Sequence, residues 1–296
     1  MSPPNNTCSV TPGYARFQGV IDDALHKEEP SASIPWGAVP VPDWASQLRP
    51  VRIVDLGSAT GRFTEAILTR LGQWNCLKRL RKLTLVEKEP GFGGEGHAAV
   101  EGIRRRCSRI LSEQGVRSVD IELRNEAVKV IGGASSRPQL RVGSNAFPNA
   151  DLIIASHFTY YFRRGGSDFL KALAPELLRT GGLAWVVVRK RECPIYRERL
   201  ALLREHDSTY TEGGYAEDLE EVIGRGDLRL KLLACKDWSF LPPGSIKPAD
   251  ISLINLLMWR EPYTQSSPER QASTRRAVHA KENLFAECHM VLKASF

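Results

Sequence analysis

The residues of this chain best suited to chemistry lie where an apolar segment runs into a turn bounded by two glycines. Apolar side chains dominate residues 51–56, and Gly57 and Gly61 then let the backbone pass close to a ligand. Residues 62–72 repeat apolar side chains at helical spacing, so free amides at a helix start would point into the same space. The turn therefore predicts a site for a small charged ligand, with a plain strand-to-helix connection as the alternative.

A carboxylate ends the next predicted strand. Residues 83–86 favour a buried strand, and Glu87 follows them directly. In a doubly wound sheet, an acid at this position accepts hydrogen bonds from the two vicinal hydroxyls of a ribose. Its offset from the turn is close to the roughly 20 residues expected for such an acid. We predict that Glu87 binds a ribose, with a solvated strand-end glutamate as the alternative.

A second glycine motif competes with this interpretation. Residues 91–96 satisfy the dinucleotide pattern G-x-G-x-x-G and also follow a strand. Pro90 and the charged residues 87–89 separate them from that strand, whereas pyrophosphate binding requires the glycines in the strand-to-helix turn itself. We interpret residues 91–96 as a flexible lip over the ligand.

Strands and helices must alternate to bring these residues together. The pattern predicts strands at 51–56, 82–87, 119–124, 151–156 and 183–189, with helices at 62–72, 97–114, 125–131 and 167–179. Further along, it predicts helices at 195–205, 215–224 and 249–259 and strands at 228–234 and 284–294. Such alternation predicts an α/β fold with a Rossmann-like, doubly wound, mostly parallel sheet and helices on both faces. Residues 1–50 are expected to form a helical and proline-rich lid segment, and residues 51–296 one domain with C-terminal substrate-covering elements.

Composition narrows the choice of partner. The formal charge is +7, which would help an anionic partner approach. The densest basic cluster, residues 104–106 with Arg109, falls in an amphipathic segment and is interpreted as the solvated face of a helix. We therefore expect no nucleic-acid partner.

The cysteines and the apolar runs exclude other classes. The six cysteines show no C-x-x-C pair, which argues against a zinc site or a disulfide framework, so no metal is expected. The start of the sequence lacks a basic and then apolar signal, and no apolar run approaches the roughly 20 residues needed to span a bilayer. The protein is expected to be cytoplasmic, with no membrane contact.

The glycine turn and the two acids resemble a known family. Asp55-x-Gly57-x-x-x-Gly61 followed by Glu87 is similar to the cofactor half of class I S-adenosylmethionine-dependent methyltransferases. Residues 151–156 resemble the fourth strand of that family, and residues 177–188 its helix end, Gly-Gly turn and fifth strand. The resemblance implies S-adenosylmethionine as the cofactor. The predicted cofactor-binding residues are Asp55, Gly57, Ser58, Gly61, Glu87, Asn125 and Ser156.

Chemistry at the acceptor is expected from the segment after the fourth strand. Residues 156–162 place one imidazole and four aromatic rings where the transferred methyl group would emerge. Aromatic faces attract cations and neutral imidazole accepts a proton, so His157 is the predicted catalytic residue, with Tyr160 and Tyr161 contacting the substrate. Packing against the following helix explains the rings as well, and for His157 packing and catalysis are equally consistent.

A narrower resemblance concerns the acceptor. Residues 156–161, 253–259 and 283–287 resemble histamine N-methyltransferase in order and spacing. Where that family has a glutamine and an asparagine that contact the substrate, this chain has His157 and Glu287. The family's N-terminal carboxylate residue that binds the substrate falls near Glu28 or Glu29. The resemblance implies a small amine or aromatic metabolite as acceptor, bound by Glu28 and Glu287. O-methylation of a natural product, or a non-catalytic protein of this fold that binds an anionic partner, are the alternatives.

Overall fold

The computed structural model describes most of the predicted core. The described residues are 41–42, 49–58, 61–87, 96–124, 126, 128–131, 139–142, 145–146, 149–156, 159, 166–206, 208, 214–226, 228–240, 267–279 and 285–295. Most of the predicted lid segment at 1–50, residues 91–95 of the second glycine motif and the predicted helix at 249–259 lie outside them. Strands and helices are numbered here in chain order over the described part.

Ten described strands form two sheets. The strands are β1 Val51–Leu56, β2 Leu80–Val86, β3 Asp120–Arg124, β4 Val128–Ile131, β5 Gln139–Val142, β6 Asn145–Ala146, β7 Ala150–Ser156, β8 Leu178–Arg189, β9 Leu230–Phe240 and β10 Phe285–Ala294. The larger sheet has seven strands in the order β3-β2-β1-β7-β8-β10-β9. In this order, the five strands β3, β2, β1, β7 and β8 are all parallel to their neighbours, whereas β10 runs antiparallel to both β8 and β9. The mostly parallel sheet is therefore confirmed.

Helices cover both faces of this sheet. They are α1 Arg62–Gln73, α2 Gly96–Glu113, α3 Gly166–Glu176, α4 Pro194–His206, α5 Ala216–Gly224 and α6 Pro268–His279. On one face, Ile67 of α1 and Cys107 of α2 pack with Ile53 of β1 in one core cluster. On the other face, Phe169 of α3 and Leu219 of α5 pack in a second cluster. Since the central strands are buried on both sides, they appear in the sequence as nearly continuous apolar runs rather than as an alternating pattern.

The boundary between α3 and β8 differs from the prediction. The helix ends at Glu176 and the strand already begins at Leu178, so the Gly-Gly pair lies inside the strand. Gly181 adopts a φ of 76°, and the pairing with β7 shifts register here, with Ala150 opposite Leu178 but Leu152 opposite Leu183. The two glycines thus form an irregularity within a strand, where a turn was expected.

The predicted helix at 125–131 is wrong. Residues Val128–Ile131 form β4, which belongs with β5 and β6 to a three-stranded antiparallel sheet. Three of its four residues are β-branched and favour a strand, and hydrogen bonding to β5 completes it. Helix α6 was not predicted, because its sequence is polar and lacks an apolar stripe. In the part of the chain that the structure describes, none of the helices combines the length and apolarity needed to cross a bilayer.

Candidate functional site

The predicted ligand-binding corner lies at the carboxyl end of the central strands, where the strand order reverses between β1 and β7. Open α/β sheets bind ligands in the crevice at such a switch point. The backbone amides of Gly57 and Ser58 both donate to the carbonyl of Val86, at 2.8 and 3.1 Å, so the turn after β1 is tied to the end of β2. The amide of Glu87 donates to the carbonyl of Arg124 at 3.0 Å. Three strand ends are therefore joined around the turn.

The two glycines of the turn are required by the backbone itself. Gly57 and Gly61 have φ angles of 73° and 76°, in the left-handed region that residues with a Cβ rarely adopt. Gly61 precedes α1, and its amide donates to the carbonyl of Ser58 at 2.7 Å. A Cβ on Gly61 would lie 2.7 Å from Cγ2 of Ile103 in α2. Gly61 thus allows α2 to pack against the turn.

Asp55 is a buried acid beside this turn. Its Oδ2 accepts a hydrogen bond from the Thr64 hydroxyl of α1, and among the described residues its Oδ1 has no hydrogen-bond partner. Burial raises the pKa of Asp55 to about 7, with the nearby charge of Glu87 adding to the rise and the Thr64 hydrogen bond opposing it. The two predicted acids therefore lie close enough for each to influence the charge of the other.

Ser58 contributes a second buried polar atom. Its side chain is 8% exposed, and its Oγ has no hydrogen-bond partner within the described ranges. Buried hydroxyls in folded proteins are almost always hydrogen-bonded, to protein, water or ligand. Asp55 Oδ1 and Ser58 Oγ are therefore two buried atoms with hydrogen-bonding capacity that a bound group could use.

The acid-rich corner is braced by α2. Glu65 of α1 is 9% exposed and accepts from Arg106 Nε at 2.6 Å and from Arg62 Nη1 at 3.3 Å. Arg104 pairs instead with Glu101 on its own helix at 2.5 Å. The basic cluster at 104–106 thus lies on a helix, as predicted, and Arg106 holds α2 against α1 rather than facing solvent alone.

The residues predicted after β7 are described in part. Ser156 ends β7, half-buried, with its Cα in register with Val187 of β8. Buried Thr159 donates through Oγ1 to the carbonyl of Gly214 at 2.9 Å, which links this segment to the start of α5. The predicted residues Glu28, Asn125, His157, Tyr160 and Tyr161 lie outside the described residues.

Glu287 lies at the same edge of the sheet. It lies near the start of β10, is 5% exposed, and stands in register with Arg189 of β8 and Trp238 of β9. Because β10 is antiparallel to β8, its start lies beside the carboxyl end of β8. The fold thus places Glu287 at the edge that carries Glu87, on the other side of β1.

Sequence reasoning missed a cluster of arginine and tyrosine side chains at the carboxyl end of β8. The Arg189 guanidinium lies 5.3 Å from the ring of Tyr196, which meets Tyr215 edge-on at 4.9 Å. Arg191 in turn lies 5.5 Å from the ring of Tyr215 and pairs with Asp218. Both rings are buried. The signal available in the sequence was the basic run 189–191 directly after an apolar strand.

These features define the chain as a doubly wound α/β protein with a glycine turn and two acidic residues, Asp55 and Glu87, at the switch point of its sheet. No model of a known protein family matches the chain, and no curated protein matches it.

Several solved structures match at low similarity. The YcgJ protein from Bacillus subtilis is 12% identical with a TM-score of 0.42, over 85% of this chain and 94% of that one. An O-methyltransferase family 2 protein from Planctomyces limnophilus, in complex with apigenin, is 14% identical with a TM-score of 0.44, over 100% of this chain and 67% of that one. A SAM-dependent methyltransferase from Leishmania major is 14% identical with a TM-score of 0.40, over 92% of this chain and 74% of that one. Similarities this low do not identify a reaction, so only the residues of this chain can indicate its chemistry.

Proposed function

We propose that this protein is an S-adenosylmethionine-dependent methyltransferase that acts on a small-molecule acceptor, with an amine nitrogen as the methylated atom. The observation that carries the proposal is the corner formed by Asp55, Gly57, Gly61 and Glu87. It combines a left-handed glycine turn, a buried acid and a strand-end acid at the switch point of a doubly wound sheet.

The residues at this corner fit that cofactor. S-adenosylmethionine, when bound, supplies an electrophilic methyl group on a positively charged sulfonium. A cationic ligand would be favoured near Asp55, whose burial and whose neighbour Glu87 make its own negative charge costly without a counter-ion. Asp55 Oδ1 and Ser58 Oγ are buried atoms with hydrogen-bonding capacity for the ligand, and Glu87 suits two ribose hydroxyls. Asn125 and Ser156 complete the proposed cofactor set.

On the acceptor side, the chain has to orient a nucleophile and exclude water, and no covalent intermediate is required. We assign His157 to accept the proton that the acceptor loses. Glu287, buried at the same edge of the sheet, would hold a cationic acceptor, with Glu28, Tyr160 and Tyr161 lining the other walls. In this proposal residues 1–50 cover the acceptor and residues 51–296 form the methyltransferase domain.

Calorimetry tests the cofactor assignment. We expect S-adenosylmethionine and S-adenosylhomocysteine to bind the full chain, and Glu87→Gln to weaken binding by about 10- to 100-fold, the value of one or two hydrogen bonds to a charged acceptor. Glu221→Gln is the matched control, since Glu221 is exposed on α5. Absence of binding, or equal affinity in Glu87→Gln and wild type, contradicts the proposal.

An acceptor screen tests the finer assignment. Amines and phenols are offered separately, and formation of S-adenosylhomocysteine is followed with wild type and His157→Ala. Turnover with amines supports the proposed acceptor, whereas turnover with phenols alone favours the O-methyltransferase alternative, in which His157 would deprotonate a hydroxyl. No turnover, together with polyanion binding that falls steeply with salt, favours a non-catalytic protein using its charge of +7.

A further inference from the structure

Two thiols meet across the last two strands of the large sheet. The Sγ atoms of Cys235 in β9 and Cys288 in β10 lie 2.6 Å apart, although the residues are 53 positions apart in the chain. Cys235 stands in register with Met290, and Cys288 with Asp237, so the two cysteines are diagonal neighbours on one face of an antiparallel pair. Cys235 is exposed and Cys288 is buried. One thiol is thus open to reagents in solvent and the other is held directly behind it.

We propose that Cys235 and Cys288 form a reversible disulfide when the protein meets a peroxide. A disulfide needs its sulfurs about 2.05 Å apart, a movement of roughly half an ångström from the observed separation. The pair also joins strands that are already paired from Phe285 to Ala294, with one irregularity between Val291 and Leu292. Diagonal neighbours lie near the upper limit of the span that a disulfide bridges, so closing the bond needs side-chain rotation and a small shift of the two strands.

A metal site is the competing interpretation of the same residues. The carboxylate of Glu220 in α5 accepts from Cys235 Sγ at 3.3 Å, and the ligand atoms of Glu220, Cys235 and Cys288 all lie within 4.8 Å of one another. Two thiolates on one tetrahedral zinc ion, at about 2.3 Å each, would place their sulfurs roughly 3.8 Å apart. The observed separation is much shorter, which favours a bond between the sulfurs over a shared ion.

The two sulfurs lie in different surroundings and therefore have different roles in the reaction. The hydrogen bond with Cys235 and burial raise the pKa of Cys288 far above its ordinary value, so Cys288 stays a thiol. The exposed Cys235 is therefore the sulfur that reacts with the oxidant, and Cys288 is the one that resolves the product.

The chemistry balances with the peroxide as the sole oxidant. The Cys235 thiolate attacks one peroxide oxygen, the O–O bond breaks, and the second oxygen leaves as hydroxide, which is protonated to water. The Cys288 sulfur then attacks the sulfur of the Cys235 sulfenic acid, the S–S bond forms and the S–O bond breaks. The Cys288 proton leaves with the hydroxyl group as a second water. The two sulfurs together lose two electrons, and the peroxide gains them.

Mass spectrometry of the full chain tests this inference without any methyl donor. Reduced protein treated with hydrogen peroxide should lose the mass of two hydrogen atoms and yield one cross-linked peptide that contains Cys235 and Cys288. Dithiothreitol should reverse the change. The oxidised form should melt about 5 °C higher than the reduced form, because the bond closes a long loop in the unfolded chain.

Variants and zinc provide the controls. Cys235→Ser and Cys288→Ala should each abolish the cross-link, whereas Cys8→Ser, which removes a thiol far away in sequence, should leave it intact. Oxidation of Cys235 to sulfinic acid without a cross-link would overturn the inference. So would zinc ions that remain bound after gel filtration, if the zinc-free reduced protein fails to cross-link.

Discussion

At the scale of single residues, the buried acid Asp55 is the most informative feature of the corner. It shares its surroundings with Glu87, and its pKa of about 7 shows that the folded protein holds a proton that the unfolded chain would release near pH 4. A buried acid with a raised pKa lowers stability once it must ionise. Binding sites often contain such groups, since a positively charged ligand can supply the counter-charge that the folded protein itself does not provide.

Asp55→Asn should remove this dependence on pH. Below about pH 4, Asp55 is protonated in both the folded and unfolded states, so it makes no difference to the pH profile. As the pH rises to about 7, only the unfolded chain releases the proton freely, and the free energy of unfolding of wild type should fall relative to the variant by up to about 4 kcal/mol. Urea unfolding of both proteins from about pH 4 to pH 8 measures this difference. Parallel profiles would contradict it.

At the scale of elements, Asp151 anchors the edge of the sheet opposite the crevice. It lies in β7, fully buried, and accepts from the Arg52 amide of β1 at 2.8 Å and from Arg179 of β8 at 3.3 Å. Arg49 also pairs with it. One carboxylate thus joins the three central strands at their amino-terminal edge, which fixes the positions of their carboxyl ends.

Asp151→Ala should destabilise the protein by about 2 to 4 kcal/mol, because it leaves a partly buried backbone amide and two partly buried guanidinium groups without their shared acceptor. Asp120→Ala is the matched control. Asp120 pairs with Lys82 at 3.4 Å and is 66% exposed, so its loss should cost less than about 1 kcal/mol. Denaturant unfolding measures both values. Similar costs for the two variants would show that Asp151 does not anchor the strands.

The sequence predicted well the elements whose apolar composition by itself indicates that they are buried. Strands β1, β7 and β8 are apolar runs, and the turn at Gly57 and Gly61 shows its backbone requirement directly as glycine. Strand β4 has four residues and owes its state to its partner β5, a contact that a local pattern does not contain. The thiol pair of β9 and β10 was missed for the same reason, since strand register brings together residues that share no spacing rule.

At the scale of the whole molecule, a ligand at the switch point would join the two sides of the sheet. The proposed site would use the ends of β1 and β2, whose helices α1 and α2 cover one face, and the end of β7, which packs against α3 on the other. Anything that binds the folded state alone stabilises it in proportion to the logarithm of its concentration.

S-adenosylmethionine at about 100 times its dissociation constant should raise the stability by about 2.7 kcal/mol and the melting temperature by roughly 5 °C. Glu87→Gln at the same ligand concentration should show a smaller rise. Adenosine triphosphate serves as the control for unspecific attraction to a chain of charge +7. Scanning fluorimetry measures all three, and an equal rise with S-adenosylmethionine and adenosine triphosphate would contradict a specific site.

The position of β10 in the chain has a consequence for synthesis. This strand fills the gap between β8 and β9, yet it is the last described strand and carries Glu287. During translation, the glycine turn with Asp55 and Glu87 is therefore synthesised long before β10, the strand that completes the sheet. Until β10 has been synthesised, β8 and β9 each present an unpaired backbone edge, so the nascent protein is most exposed to aggregation in the interval between β9 and β10.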